Sequence, residues 1–231
     1  MSRPPLSIII PTFNAMPRLG DCLAALVAGV SDGLVREAIV VDGSSTDDSA
    51  ELAADMGCKV IGLPPQARGR GKQLVAGAQG ATGDWLLFLH GDTVLQDGWV
   101  RAVRDHLSNQ PEKAAYFRLG FDALGGGAKR VAFLANLRAK VLGLPYGDQG
   151  LLISRTFYDE IGGYGDLVLM EDVDLVRRIG RGRLVALESV ALTSGAKFVR
   201  GGWWAVPMRN LLLLAAYLMG ISPTTLVKWY K

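Results

Sequence analysis

Cysteine and histidine are scarce in this sequence, with two residues of each among 231. Cys22 and Cys58 belong to no CxxC pair, and no histidine pair lies near either of them. A structural zinc site needs four such ligands at close spacing, so none is expected, and two cysteines provide no disulfide framework. Two isolated thiols are typical of the reducing cytoplasm, where we expect this chain to reside.

The chain also lacks a long apolar run and a strong excess of one charge. Its longest apolar stretch, Leu211–Met219, is well short of the ~20 residues that span a bilayer, so no transmembrane helix is expected. Lysine and arginine number 25 against 22 acidic residues, a net charge of +3. This charge is too small and too evenly spread for a dedicated nucleic-acid binder, and we expect no nucleic-acid partner.

Hydrophobic residues make up 49% of the chain, enough for a large core without disulfides or metal. In the first half, apolar runs alternate with segments of helical spacing, which predicts a doubly wound α/β sheet. The uninterrupted runs are typical of strands buried on both faces of a parallel sheet. The predicted strands are Leu6–Ile10, Ala38–Val41, Lys59–Leu63 and Trp85–Leu89.

Two helices are predicted between these strands. One has apolar residues at helical spacing from Leu19 through Val27 and Val30, and the other spans Ala50–Met56. Beyond Asp92 the alternation loosens into a mixed α+β region. Its predicted elements are helices around Trp99–Leu107 and Val131–Leu142, a strand around Ala115–Phe121 and a glycine-rich turn at Gly125–Gly127.

Polar residues follow each predicted strand, at the edge where open parallel sheets bind ligands. The first strand leads into PTFN, the second into DGSSTD and the fourth into HGDT. After the third strand comes ARGRGK, in which Arg68, Arg70 and Lys72 alternate with glycines that open a helix, an arrangement suited to a diphosphate. Taken singly, Asp42 could instead stabilise a helix start and ARGRGK could be a solvated loop.

A second acidic cluster, EDVD, spans residues 171–174. On a helix Glu171 and Asp174 share a face while Asp172 points elsewhere, so one carboxylate could face a pocket as others face water. The cluster could equally be an acidic helix start that complements the macrodipole, followed by Arg177 and Arg178 towards the helix end.

The motifs IIIPTFNA, VVDGSSTDDS, GRGKQ, FLHGDT, YGDQG, GGY and LMEDVDL occur in this order along the chain. The ordered set resembles family-two glycosyltransferases of the GT-A type, and most closely the small bacterial members with HxD in place of DxD. The likeness extends from about residue 6 to residue 182. It implies inverting transfer of a sugar from a nucleotide-diphosphate sugar to an acceptor hydroxyl, usually assisted by Mn²⁺ or Mg²⁺.

The implied fold is the GT-A type, a doubly wound mixed sheet with a helical C-terminal segment. We predict one catalytic domain over residues 1–195. Its Rossmann-like nucleotide-binding half would span about 1–95 and its α+β acceptor half 96–195, followed by the C-terminal segment at 196–231.

The resemblance also implies roles for individual residues. The nucleotide would be bound by Pro11, Thr12, Asn14, Asp42, Arg68, Arg70, Lys72 and Gly91. Asp92 would hold the metal, with His90 as a second ligand, and Asp172 would be the general base. The acceptor side would include Tyr146, Asp148, Gln149 and Glu171.

The sequence departs from the family pattern in two places. His90 replaces the first carboxylate of DxD, and a nitrogen ligand there favours Mn²⁺ over Mg²⁺. A QxxRW signature is absent, so processive polymer synthesis is not expected.

The C-terminal segment combines cations, tryptophans and an apolar helix between Lys197 and Lys231. One interpretation is a peripheral segment in the interface of the cytoplasmic membrane face, which would suit a lipid-linked acceptor. The other is a terminal helix docked on the protein's own core or on a second copy in a homodimer.

Two further functions are compatible with the residues. A sugar-nucleotide pyrophosphorylase has a related sheet, but its Gly/Arg/Lys loop should follow the first strand, whereas here it follows the third. A non-catalytic nucleotide-sugar sensor or membrane-associated scaffold could have kept the pocket and lost turnover.

Overall fold

The first four strands form from the apolar runs predicted for the first half of the chain. A computed structural model describes residues 4–16 and 18–230, so Lys231 of the C-terminal segment lies outside the described residues. The strands are β1 (Leu6–Thr12), β2 (Val35–Asp42), β3 (Lys59–Gly62) and β4 (Trp85–Phe88). They lie parallel in the order β3-β2-β1-β4, as expected for a doubly wound sheet.

The helices that cover these strands are α1 (Arg18–Ser31), α2 (Ser49–Asp55) and α3 (Arg70–Gly80). Helix α1 buries its apolar face, but Val27 and Val30, which the helical spacing placed on that face, are exposed. The buried residue in this turn is Gly29, where a Cβ would clash with the Trp99 ring. Close packing against Trp99 therefore rotates the buried face away from the two valines.

The second half extends the same sheet to eight strands in the order β3-β2-β1-β4-β7-β6-β8-β5. The added strands are β5 (Thr93–Leu95), β6 (Ala114–Phe121), β7 (Leu151–Ser154) and β8 (Leu184–Thr193). Strand β7 is antiparallel to β4 and β6, β5 is antiparallel to β8, and β6 is parallel to β8. The predicted mixed α/β architecture is confirmed, although only β6 of these four strands was predicted.

Four helices accompany these strands. They are α4 (Trp99–Asn109), α5 (Gly126–Leu142), α6 (Arg155–Glu160) and α7 (Glu171–Ile179). The turn predicted at Gly125–Gly127 is wrong for its last two residues, because α5 begins at Gly126. Only Gly125, with φ of 115°, has the backbone conformation that favours glycine.

The core lies on both faces of the sheet. Along β1, Ile8 and Ile10 pack on one face and Ile9 packs on the other, and all three are fully buried. Burial of each such side chain is worth roughly 1.5–3 kcal/mol. The central strands are thereby held rigidly, with their carboxyl ends at one edge.

Three helices form the C-terminal segment, α8 (Ala196–Gly201), α9 (Ala205–Leu218) and α10 (Pro223–Tyr230). Leu213 and Leu214 of α9 and Leu226 of α10 are buried with Val173 and Val176 of α7. The segment is thus docked on the protein's own core, as one of the two interpretations predicted. Among the described residues, no helix has both the length and the apolar character required to cross a membrane.

Two neighbouring glycines at the start of α5 should respond oppositely to alanine. A Cβ on Gly126 meets nothing within 4 Å, so Gly126→Ala should stabilise the fold by about 0.4–1 kcal/mol through the unfolded chain. A Cβ on Gly127 would lie 2.7 Å from Trp203 Cγ, so Gly127→Ala should destabilise it by about 1–2 kcal/mol. Urea unfolding measures the change in stability of each variant. Equal shifts of the two unfolding midpoints would contradict the packing of Trp203 on α5.

Candidate active site

The polar residues predicted after β1, β2 and β4 meet at one edge of the sheet. Thr12 is aligned with Asp42 across the β1–β2 pair, and the β1–β4 register places the residues after Phe88 beside the end of β1. A Cβ on Gly91 would lie 3.1 Å from Thr12 Cγ2. The structure therefore brings Thr12, Asp42 and Gly91 together.

The loops at this edge are held by their own side chains. The backbone N–H and Oγ of Ser45 donate to the Asp42 carboxylate at 2.9 and 2.5 Å. The backbone N–H of Thr46 donates to Asn14 Oδ1 at 2.8 Å, and Asn14 has a left-handed backbone with φ of 49°. Asp42 and Asn14 thus shape the loops that surround the predicted nucleoside pocket.

A buried glutamine joins this edge to α3. Gln73 Nε2 donates to the carbonyl oxygens of Thr12 and Val41, both at 2.7 Å. Gly43 lies against it, since a Cβ there would be 3.2 Å from Gln73 Nε2. Gln73 was not predicted as a site residue, although it ends the GRGKQ motif.

Next to this edge lies a cavity of about 220 Å³. Its walls include six residues that the sequence predicted, namely Arg70, His90, Asp92, Tyr146, Asp148 and Asp172. These residues come from the ends or starts of β4, α3 and α7 and from the segment before β7. Among these six residues, Arg70 and Asp172 are the furthest apart, at 102 positions in sequence (172 − 70).

The other predicted residues do not line this cavity. Arg68 lies over the Phe13 ring at 4.3 Å, and Lys72 Nζ is 3.9 Å from Asp166 Oδ2. Gln149 is fully buried and donates to the Phe117 carbonyl at 3.2 Å, which indicates a packing role. Pro11, Thr12, Asn14, Asp42 and Gly91 lie at the neighbouring strand ends.

An ion pair connects the start of α3 to the start of α7. Arg70 Nε donates to the carboxylate of Glu171, which is buried and would be costly to ionise alone. Although burial opposes its charge, the carboxylates of Glu171 and Asp172 raise the pKa of Arg70. Arg70 is therefore a permanent cation in the cavity wall.

Asp172 is the acid of the EDVD cluster that faces the cavity. Its Oδ2 accepts from the Gly147 N–H and its Oδ1 from the Val173 N–H, both at 2.8 Å. Asp174 instead pairs with Arg178 at 2.6 Å, one helical turn further along α7. Two backbone N–H donors at a helix start hold the Asp172 carboxylate in one orientation.

Gly147 is a site residue that the sequence analysis missed. A Cβ on it would lie 2.7 Å from His90 Nε2 and 3.5 Å from Asp172 Oδ2. Burial, and then the charge of Arg70, lower the pKa of His90 from 6.5 to about 4, although Asp92 and Asp172 act in the opposite direction. His90 is therefore a neutral imidazole at neutral pH, the form that binds metals.

The pKa of Asp148, another residue of the cavity wall, is shifted in the opposite direction to that of His90. Burial raises the pKa of Asp148 from 3.8 to about 6; Arg138 opposes this shift, whereas Asp172 adds to it. Its buried Oδ1 has no hydrogen-bond partner in the described part of the chain. A carboxyl group that changes charge near neutral pH, with a free acceptor atom, is suited to proton exchange with a ligand.

The residues at the end of β4 fit a divalent cation. His90 and Asp92 offer a nitrogen and carboxylate oxygens to the cavity. Within residues 4–16 and 18–230, no group of three or more His, Cys, Asp or Glu is arranged to hold a metal alone. Two protein ligands suit a cation that takes its remaining ligands from substrate phosphates and water.

The C-terminal segment also contributes to the cavity, which the sequence did not predict. Lys197 and Tyr230 line it, and Lys197 Nζ donates to the Tyr230 hydroxyl. Ser194, directly after β8, lines it as well. No local motif marks these residues, because only the docking of α8 and α10 places them there.

The fold and the cavity together define an α/β domain with an acidic site beside its parallel strand ends. Residues 7–142, more than half of the chain, match the family model for glycosyl transferase family 2. The chain belongs to this family.

Two characterised relatives share only part of their length with this chain. An N-acetylglucosaminyltransferase of Mesorhizobium japonicum is 30% identical over 122 residues, 50% of this chain and 28% of that protein. A PGL/p-HBAD biosynthesis glycosyltransferase of Mycobacterium tuberculosis is 34% identical over 101 residues, 42% of this chain and 39% of that protein. The chain thus spans less than half the length of either relative.

Solved structures support the fold assignment. Glucosyl-3-phosphoglycerate synthase from Mycobacterium tuberculosis, crystallised with Mn²⁺ and UDP-glucose, superposes with a TM-score of 0.57 at 22% identity, covering 82% of this chain and 69% of that chain. The complex of the same enzyme with Mn²⁺, UDP and phosphoglyceric acid superposes with a TM-score of 0.61 at 20% identity, covering 94% of this chain and 79% of that chain. At this identity the likeness establishes the GT-A fold.

The raised pKa of Asp148 predicts a pH-dependent effect of Asp148→Asn on stability. Between about pH 4 and 6 the folded state holds a proton on Asp148 that the unfolded state releases, so this group makes the wild type less stable as pH rises. Asp148→Asn removes the titrating carboxyl group, so the stability of the variant does not fall with pH for this reason. Its stability relative to wild type should therefore increase by about 1–3 kcal/mol from pH 4 to pH 6 and stay constant above.

Urea unfolding at pH 4, 5, 6 and 7 with a chelator present measures this difference. Asp97→Asn, on an exposed loop outside the cavity, controls for the loss of one carboxylate. A difference that is flat from pH 4 to 7 would contradict the buried environment of Asp148.

Proposed function

We propose that this protein is an inverting glycosyltransferase that moves a sugar from a nucleotide-diphosphate sugar to an acceptor hydroxyl. The observation that carries the proposal is that Asp92, at the end of β4, and Asp172, at the start of α7, line the same cavity with the cation Arg70. A cation to stabilise the leaving group and a carboxylate to accept a proton, both in one cavity, are what this transfer requires.

The donor would lie along the carboxyl edge of the parallel strands. The nucleoside would bind near Thr12 and Asp42, and the diphosphate would extend towards the start of α3. There the N-terminal backbone N–H groups, Arg70 and Lys72 oppose its negative charge. The solved relative with the same fold binds UDP-glucose, which supports a nucleoside-diphosphate donor of this class.

His90 and Asp92 would hold the divalent cation, Mn²⁺ or Mg²⁺. When bound, the cation would neutralise charge that develops on the departing diphosphate. Mn²⁺ in the crystals of the solved relative and the nitrogen ligand His90 both favour Mn²⁺ here.

Asp172 would act as the general base. An acceptor hydroxyl is a weak nucleophile, and a carboxylate that takes its proton during attack contributes roughly 10²- to 10⁴-fold. The bond from the acceptor oxygen to the anomeric carbon forms as the bond to the diphosphate oxygen breaks, and the proton passes to Asp172. Direct attack with a single base inverts the anomeric carbon, whereas double displacement would require a second carboxylate as nucleophile.

Asp148 and Tyr146 would orient the acceptor hydroxyl. Both line the cavity, and Asp148 Oδ1 is free to accept a hydrogen bond. The Gly147 N–H between them donates to Asp172, so the same short segment positions the acceptor and its base.

Replacing the proposed base should abolish turnover and preserve donor binding. Asp172→Asn keeps the shape of the side chain but cannot accept the proton, so kcat should fall about 10²- to 10⁴-fold. Transfer or donor hydrolysis would be assayed across UDP-, GDP- and dTDP-sugars with Mn²⁺, and binding by calorimetry. Asp174→Asn, which changes an acid on the same helix outside the cavity, is the matched control. Unchanged turnover of Asp172→Asn would remove the base assignment.

Metal should strengthen nucleotide binding through Asp92. In calorimetric titrations, Mn²⁺ should tighten the binding of a nucleoside diphosphate to wild type by about tenfold or more. Asp92→Asn should lose this enhancement, whereas Asp97→Asn, five residues further along the chain and exposed, should keep it. If none of these proteins binds the nucleotides, both the enzyme and a nucleotide-sugar sensor are excluded.

A further inference from the structure

An apolar groove of about 490 Å³ runs between α5 and α9. Leu134, Leu137 and Val141 of α5 form one wall, and Trp204 and Leu211 form the opposite one. Leu134 and Leu211 are each about half exposed, at 52% and 54%. Side chains of this kind are normally buried, so a concave surface lined by them is suited to an apolar ligand.

The groove opens into the candidate active site. Tyr146, Asp148, Phe198 and Asn210 line both the groove and the cavity that contains Asp92 and Asp172. A ligand in the groove would therefore have one end beside the proposed base. This continuity links the groove to the acceptor side of the reaction.

Unpartnered polar atoms are concentrated where the two spaces meet. Arg138 Nη2, Asp148 Oδ1 and Asn210 Oδ1 are buried and have no hydrogen-bond partner among the described residues. All three side chains line the groove. Leaving a buried polar group unpaired is unfavourable, so a polar ligand group that pairs with these atoms would be stabilised at this position.

We infer that the acceptor is an amphiphile whose hydroxyl-bearing head occupies this junction and whose hydrocarbon chain lies in the groove. This inference rests on the proposed transfer to a hydroxyl and names the class of acceptor. A donor at Arg138 and acceptors at Asp148 and Asn210 match a hydroxylated head, which both donates and accepts hydrogen bonds. The apolar walls match the chain.

The shape of the groove favours binding of a single hydrocarbon chain over contact with a flat membrane surface. Its volume lies within the roughly 300–1,000 Å³ of small-molecule sites. Phe133 and Leu212 are even more exposed than their neighbours Leu134 and Leu211, yet they lie outside the groove. A membrane surface would engage all four residues, whereas a single chain would engage only the two that line the groove.

The test uses alkyl β-D-glucosides with hexyl, octyl and decyl chains, each titrated below its micellar concentration into the full chain by calorimetry. Each added methylene that enters the groove should tighten binding by about fourfold. The proposal is overturned if affinity does not depend on chain length.

Two double variants separate the groove from the surrounding apolar surface. Leu134→Gln with Leu211→Gln should reduce decyl glucoside affinity at least about tenfold and flatten the chain-length dependence, since polar groups would then meet the chain. Phe133→Gln with Leu212→Gln, one residue away on the same helices, should leave the affinity for decyl glucoside and its dependence on chain length unchanged. All four residues are about half exposed or more, so the variants should fold, and circular dichroism checks this.

Equal losses in both double variants would indicate a membrane-like surface and overturn the proposal. So would a dimer, detected by light scattering, that dissociates in the Leu134→Gln, Leu211→Gln protein, since a second copy would then fill the groove. Titration of UDP, GDP and dTDP, each with Mn²⁺, into the same samples separates the amphiphilic acceptor from the proposed transferase. Nucleotide binding without chain-length dependence refutes only the amphiphilic acceptor, whereas chain-length dependence without binding of any nucleoside diphosphate refutes the proposed transferase.

Discussion

The ion pair between Arg70 and Glu171 is the interaction on which the geometry of the candidate site depends. It joins the first residue of α3, a helix between the parallel strands β3 and β4, to the first residue of α7. Because the Glu171 carboxylate is almost completely buried, it is stable as an anion only with this partner. The pair therefore fixes how α7 starts, and Asp172, the next residue, is directed into the cavity.

A close backbone approach completes the arrangement. Gly147 fits between His90 and Asp172 with no room for a side chain, and its N–H holds the Asp172 carboxylate. Burial, with a smaller contribution from the charge of Asp172, raises the pKa of Asp148, while burial and then the charge of Arg70 lower the pKa of His90 and keep it neutral. A concentration of negative charge beside a neutral imidazole is an environment that favours binding of a cation.

The C-terminal segment packs on the core and also contributes side chains to the cavity wall. Helices α9 and α10 bury Leu213 and Leu226 against α7, and the same docking places Lys197 and Tyr230 in the cavity wall. Apolar residues of α9 that do not face α7 form one side of the groove. The mixture of cations, tryptophans and leucines in this segment thus reflects two surfaces, one packed on the core and one open to a ligand.

The parallel strands, the polar residues at their ends and the acidic helix start could be predicted from the sequence, because each depends on local patterns of apolar and polar residues. The apolar runs of β1 and β4 predict buried strands, and parallel strands place Thr12, Asp42 and Gly91 at one edge. Three features could not be predicted in this way. Strand β7 inserts beside β4, Gly147 separates His90 from Asp172, and Lys197 and Tyr230 reach the cavity. These features depend on contacts between distant segments, and local periodicity carries no information on which segments will pack together.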